Sequence, residues 1–160
     1  MRKYVAAGAV LLFCASCTSL IDKLRPANLD GQVEENMHAC QLAAESYAKD
    51  HGGKYPAAID NEFKAYFPGG SGKEKLIGRP PTNPYTSQPE WPKLGQIIDL
   101  SFERKRMLSH VAPGNVEYTC LKDGYAYAII GGGVDGNAIP RTPSEKKELI
   151  LTNVREEKSK

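Results

Sequence analysis

The chain has little of what catalytic and cofactor-binding proteins usually carry. It holds three histidines in 160 residues. His38, His51 and His110 share no metal-ligand spacing with Cys40 or Cys120, which argues against a zinc site. No His-Glu-x-x-His occurs, and Ser46, Ser71, Ser109 and Ser144 stand in no nucleophile-elbow context. The phosphate-loop pattern Gly-x-x-x-x-Gly-Lys-Ser/Thr is missing, and no internal repeat is evident. The apolar run Val5–Phe13 is too short to cross a hydrocarbon layer of about 30 Å as a helix. An excess of charge is lacking as well. Arg2 and Lys3 supply the whole difference between 21 basic and 19 acidic residues, so the chain from Cys17 onward is formally neutral. A neutral domain has no electrostatic reason to bind nucleic acid. The cluster Arg104-Lys105-Arg106 follows Glu103 in a polar stretch and reads as a solvated loop, with anionic headgroups as the sharper alternative. These absences favour a non-catalytic protein with no cofactor and no metal.

What is present begins at the N-terminus. Two cations precede the apolar run, and Cys14-Ala15-Ser16-Cys17 places small residues before a cysteine. That is the layout of an export signal. It resembles the bacterial lipoprotein signal, in which the final cysteine is lipidated and becomes the first mature residue. Cys14 stands where that signal usually has Leu, Val or Ile, and a plain cleaved signal with Cys17 spare is the alternative. The resemblance implies a signal over 1–16 and a partner in the membrane itself, reached through a lipid on Cys17. Thr18 rather than Asp after that cysteine implies the outer membrane, with the domain periplasmic or surface-exposed. Residues 17–28, containing Pro26, then read as a tether.

With residues 1–16 removed, 144 remain, enough for one domain with a modest core. Cys40 and Cys120 are left as a pair. An oxidising compartment favours a disulfide between them, with two free thiols as the alternative. From Leu29 to Asp50 the apolar positions Val33, Met37, Cys40, Ala44, Tyr47 and Ala48 recur at helical spacing, and Glu34, Glu35, His38 and Lys49 fall largely opposite. Asp30 is the expected N-cap, and Gly52-Gly53 before Tyr55-Pro56 the expected stop. Asn61–Phe67 reads as a short helix, and Gly78–Pro92, with five prolines, as an ordered irregular loop that Trp91, near its end, packs onto the body.

Strands are expected late. Val116–Leu121 alternates, Asp123-Gly124 signals a tight turn, and Tyr125–Ile130 and Glu148–Asn153 follow as further strands. Thr142-Pro143-Ser144-Glu145 fits a capping box. Gly131–Gly136 lacks the Lys-Ser/Thr of a phosphate loop and no helix follows it directly, so a hairpin turn needing positive φ is expected there. The expected class is α+β: one long N-terminal helix on a small antiparallel sheet of about three strands over 29–153, with a disordered tail over 154–160. Cys120 shares a strand face with Val116 and Tyr118, the face that would cover the helix stripe holding Cys40.

These residues resemble a family. Asn36–Pro56 is similar to the end of the helix in type II secretion major pseudopilins and related type IV pilin-like proteins. Asn83-Pro84-Tyr85-Thr86 resembles their Asn-Pro-aromatic loop. Pro113-Gly114-Asn115-Val116-Glu117-Tyr118 and Tyr125–Gly136 resemble their closing sheet. Members of that family begin with a Gly-Phe-Thr-Leu-x-Glu-like site and a long hydrophobic helix, which this sequence does not carry, and Gln96–His110 has no counterpart. The resemblance therefore implies a pseudopilin-like headpiece on a lipid anchor, whose partners are envelope or secretion-system proteins. It also raises an alternative, a calcium- or small-ligand-binding module, since the major pseudopilins hold calcium near their C-terminus and Asp135 with Asn137 offer oxygens. Calcium takes six to eight. Paired carboxylates such as Glu34-Glu35 read as solvated charge.

Overall fold

The computed structural model describes residues 15–97, 99–100, 108–142 and 147–154, with side chains from Asn28 onward. The expected signal up to residue 14, the Arg104-Lys105-Arg106 cluster, most of the 142–145 capping box and the tail from residue 155 lie outside the described residues.

One long helix, α1 (Ala15–Asp50), runs for 36 residues. At 1.5 Å per residue that is about 54 Å. The backbone over the expected tether is therefore helical, and the helix starts well before Leu29. Among the described residues no helix is long and apolar enough to cross a membrane. Asp30 is consequently not an N-cap. It lies inside the helix, where its Oδ1 accepts the Tyr85 hydroxyl at 2.5 Å. The buried stripe is the expected one: Val33, Met37, Cys40, Ala44 and Ala48 are buried, and Tyr47 packs against them. The C-terminal stop also holds. Gly52 and Gly53 take φ of 65° and 86°, and the Gly53 amide donates to the Ala48 carbonyl at 2.8 Å. A second, short helix, α2 (Asn61–Lys64), is capped by Asp60, whose carboxylate accepts the Phe63 amide at 2.9 Å. It delivers fully buried Phe63 under α1, and Phe67 follows it.

The sheet contains β1 (Lys93–Leu94), β2 (Val116–Leu121) and β3 (Ala126–Gly131), in that spatial order. The β2–β3 hairpin is antiparallel, from Val116 opposite Gly131 to Leu121 opposite Ala126. Its turn runs over Lys122–Gly124, where Lys122, Asp123 and Gly124 take positive φ of 50°, 54° and 95°. The expectation of an all-antiparallel sheet is wrong, because β1 runs parallel to β2, with Lys93 opposite Glu117 and Leu94 opposite Tyr118. The expected third strand over Glu148–Asn153 is absent as a strand. Single bridges, Ile129 with Leu151 and Pro140 with Glu148, take its place. Leu149 and Leu151 turn toward the α1-side cluster and Ile150 toward the other, so the segment alternates like a strand without a continuous ladder.

The helices lie on one face of the sheet. There Tyr118, Tyr127 and Ile129 meet Val33, Met37, Cys40, Phe63 and Phe67. Fully burying each large apolar side chain stabilises the fold by roughly 1.5–3 kcal/mol. Helix and sheet approach closely at Gly131, where a Cβ would stand 2.6 Å from Met37 Sδ and 2.7 Å from Val33 Cγ1. Space, not conformation, requires that glycine. Of the four glycines in Gly131–Gly136 only Gly136 has positive φ, 75°, which corrects the expectation that the turn explains them all. On the opposite face Ala128 and Ile130 pack with Ile97, Leu100, Val111 and Ala138.

Candidate functional site

Proline in Gly78–Pro92 removes amide donors, and the backbone bonds that remain, from Asn83 to Gln88, Ser87 to Asn83 and Glu90 to Pro81 at 2.8, 2.8 and 2.9 Å, leave a side chain to complete the order. Asn83 does this. It is 2% exposed. Its Oδ1 accepts the Tyr85 amide at 2.9 Å and the Thr86 amide at 3.3 Å, closing an Asx turn over Pro84. Its Nδ2 donates to Glu90 Oε1 at 3.2 Å within the same loop and to the Pro113 carbonyl at 3.1 Å on a distant one. Gly114 admits it: a Cβ there would sit 1.9 Å from Asn83 Oδ1. Asn115 joins the same cluster, its amide nitrogen facing Glu90 Oε2 at 2.9 Å and its oxygen facing Lys93 Nζ at 2.8 Å.

The loop is also fastened to α1. Asn36 Nδ2 donates to the Thr82 carbonyl at 2.8 Å, and the Tyr85 hydroxyl reaches Asp30. Burial, together with the Asp30 carboxylate, pushes that hydroxyl well above the ordinary tyrosine range. At the other end Trp91 stands edge-on to Phe67 at 5.2 Å, as expected of it, with Lys64 Nζ 5.4 Å from its ring. The result is a fixed surface of α1, the 82–91 loop and the 113–115 turn.

The cysteines were expected to act elsewhere. Cys17 lies in the first turns of α1, and its side chain is outside the described residues. The bridge expected between Cys40 and Cys120 is not formed, and both are free thiols. The two belong to one core region, as the strand face implied. Their sulfurs have different surroundings, however. Cys40 is wholly enclosed under α1, and burial drives its pKa far above the ordinary thiol value. Cys120 directs its Sγ at the Tyr55 carbonyl, 3.8 Å away in the segment beyond α1.

Two clefts flank this framework. The smaller, about 120 Å³, lies at the C-terminal end of α1 among Asp50, His51, Glu62, Tyr66 and Lys73. Its groups are mutually engaged. Lys73 pairs with Asp50 at 3.1 Å and holds that carboxyl below its usual range. His51 stacks on Tyr47 at 3.7 Å, donates from Nδ1 to the Tyr47 carbonyl at 2.8 Å and faces Glu62 across 3.4 Å. His51 thus serves the C-terminal end of α1 through a direct carbonyl hydrogen bond. The larger cleft, about 330 Å³, opens on the far face of the sheet among Leu94, Gln96, Ile97, His110 and Glu117. Desolvation raises the Glu117 pKa, and nearby Glu148 adds to the shift while Lys93 and His110 oppose it.

In the 131–136 turn, Asp135 spends both oxygens on Asn137, on its amide at 3.0 Å and its Nδ2 at 2.9 Å. Among the described residues no group of three or more His, Cys, Asp or Glu is placed to hold a metal. Sequence reasoning singled out the Asn-Pro-aromatic and Pro-Gly-Asn motifs but missed that one side chain joins them. The signal was available: an ordered loop rich in proline is short of amide donors and gains from a side chain that both donates and accepts, and Asn83 is the asparagine in it. It also missed the Glu117–His110 cleft, because apart from Glu117 of β2 and Ile130 of β3 its lining comes from segments with no periodic pattern. Comparison with family models, with curated proteins and with solved structures finds no match to this chain.

Proposed function

We propose that this chain is a non-catalytic, lipid-anchored protein of the bacterial envelope. Residues 29–153 form a pseudopilin-like domain that serves as an interaction scaffold, linked to type II secretion or pilus-like machinery. Cys17 carries the lipid. At about 0.8 kcal/mol per buried CH₂, two or more acyl chains hold a protein stably at a membrane where one is marginal. The domain is a headpiece carried on that lipid rather than a filament subunit.

The observation that supports this reading is the Asn83 junction. The motifs carrying the resemblance are the helix end, Asn83-Pro84-Tyr85 and Pro113-Gly114-Asn115. They are distant in sequence, yet Asn83 bonds Pro113, Asn36 bonds Thr82 and Tyr85 bonds Asp30. Motifs that hold one another in place are what a shared architecture requires. The ordered loop they fix is a rigid recognition surface, since loops on a firm scaffold commonly carry binding.

In-cell cross-linking of the full-length protein in its native host, with mass spectrometry of what is captured, tests the reading. Enrichment of secretion or pilus components, lost in Cys17→Ala, is the expected result. Capture of bulk envelope proteins alone contradicts the link to that machinery.

A further inference from the structure

Beside the C-terminal end of α1, the turn over residues 72–79 presents two adjacent apolar side chains to solvent. Leu76 is 64% exposed and Ile77 43%. The turn is firmly built. The Leu76 amide donates to Ser71 Oγ at 3.0 Å and the Ser71 amide to the Leu76 carbonyl at 3.2 Å. Gly78 and Arg79 donate to the Lys64 and Pro68 carbonyls at 3.0 and 2.9 Å. A tip fixed in this way loses little freedom on docking.

Cations surround it in the chain. Lys73, Lys75 and Arg79 are exposed, against Glu74 alone within the turn. Lys73 is engaged by Asp50, but Lys75 and Arg79 have no ion-pair partner among the described residues. Lys75 also takes φ of 62°, a left-handed conformation that glycine or asparagine adopts at lower cost. Lys75 thus holds its charge next to Leu76 in a strained backbone conformation.

We propose that the Leu76–Ile77 tip docks into an anionic phospholipid surface, with Lys75 and Arg79 toward the headgroups. Apolar side chains at the acyl boundary beneath basic residues are the chemistry of interfacial attachment. A protein partner is disfavoured by area. A stable interface takes roughly 800 Å² from each side, far more than two side chains present. The proposal rests on the envelope location proposed above but not on the lipid at Cys17. The rise of α1 separates Cys17 from this end by roughly 50 Å. If both touch one bilayer, α1 lies along its surface.

The test uses the full-length chain with phosphatidylcholine vesicles, with and without phosphatidylglycerol, whose acyl chains are brominated. Leu76→Trp emission, read above the Trp91 background of the unsubstituted chain, is expected to be quenched on the anionic vesicles. Leu42→Trp, equally exposed on α1, is expected to keep its emission. Replacing Lys75 and Arg79 together by Gln raises the lipid concentration for half-quenching roughly 25-fold, about fivefold per cation. Quenching no greater than at Leu42→Trp, or equal on neutral and anionic vesicles, overturns the proposal. So does capture of an acidic protein at the tip without quenching. Repeating the measurement on Cys17→Ala separates the two contacts: quenching that survives there, with no lipid found on Cys17 in cells, overturns the anchor alone.

Discussion

Toward α1, the sheet presents Tyr118, Tyr127 and Ile129 to a cluster holding Phe63, Phe67 and Met37; away from α1, Ala128 and Ile130 meet Ile97, Leu100, Val111 and Ala138. The α1 side is aromatic, and its polar tips are tied. The Tyr118 hydroxyl donates to the Pro56 carbonyl at 2.9 Å. The Tyr127 and Tyr55 hydroxyls donate to the two oxygens of Glu45 at 2.8 and 3.0 Å. Burial with the Glu45 carboxylate pushes the Tyr55 hydroxyl up to about 12. The far side is aliphatic and smaller, and beside it carboxylates are partly withdrawn from water. Glu148 is 7% exposed, with one oxygen held by the Ser109 amide at 3.1 Å, and Glu117 lines an open cleft. The difference separates a face that carries stability from one with room for ligand-sized groups.

Removing the aromatic at the heart of the α1 side gives the largest effect. Phe63→Ala is expected to lower the unfolding free energy by about 3–5 kcal/mol in a denaturant titration. A loss under 1 kcal/mol puts the weight of the core elsewhere. Asn83→Ala comes next, at about 2–3 kcal/mol, because the Tyr85 amide and the Pro113 carbonyl lose a buried partner. Its amide exchange should rise in residues 83–90 and 113–115 together. Exchange rising in only one of them breaks the junction. The sharpest comparison uses neighbours on opposite faces. Ile129→Val should cost about 1.5 kcal/mol and Ile130→Val about 0.5, since the tighter surroundings relax less around the missing methylene. Equal costs erase the distinction between the faces.

The smallest effect is in pH dependence. The Glu117 carboxyl has a native pKa above its ordinary 4.5. The folded state therefore binds its proton more tightly than the unfolded chain does. That contribution is complete below the ordinary value and is lost as pH rises through the raised one. Glu117→Gln should flatten that part of the stability–pH curve. An unchanged slope in the variant assigns the decline to other groups.

How much was legible in the sequence follows the same division. The α1 stripe and the β2–β3 hairpin have the period of their element, 3.6 or 2, and were readable from Val33, Met37, Cys40, Val116 and Tyr118. The start of α1 was not, because the helical backbone runs on N-terminally through residues around Pro26 that carry no such stripe. Two-residue β1 is too short to show a period, and it pairs in parallel across a long connection, which no local signal encodes. Glu148–Asn153 has strand-like alternation, but its partners across Ile129 and Pro140 supply isolated bridges only. At the site, Asn83 and Gly114 stood in named motifs, while their contact is a tertiary fact.

The claim on which the functional reading stands is that this domain sits at a membrane on a lipid at Cys17. The intact mass and N-terminal peptide of the protein purified from its host membrane test it most directly. A chain beginning at Cys17 with acyl mass on that residue, and Cys17→Ala released from the membrane fraction, is the predicted result. An unmodified Cys17 in a mature chain that stays soluble contradicts it.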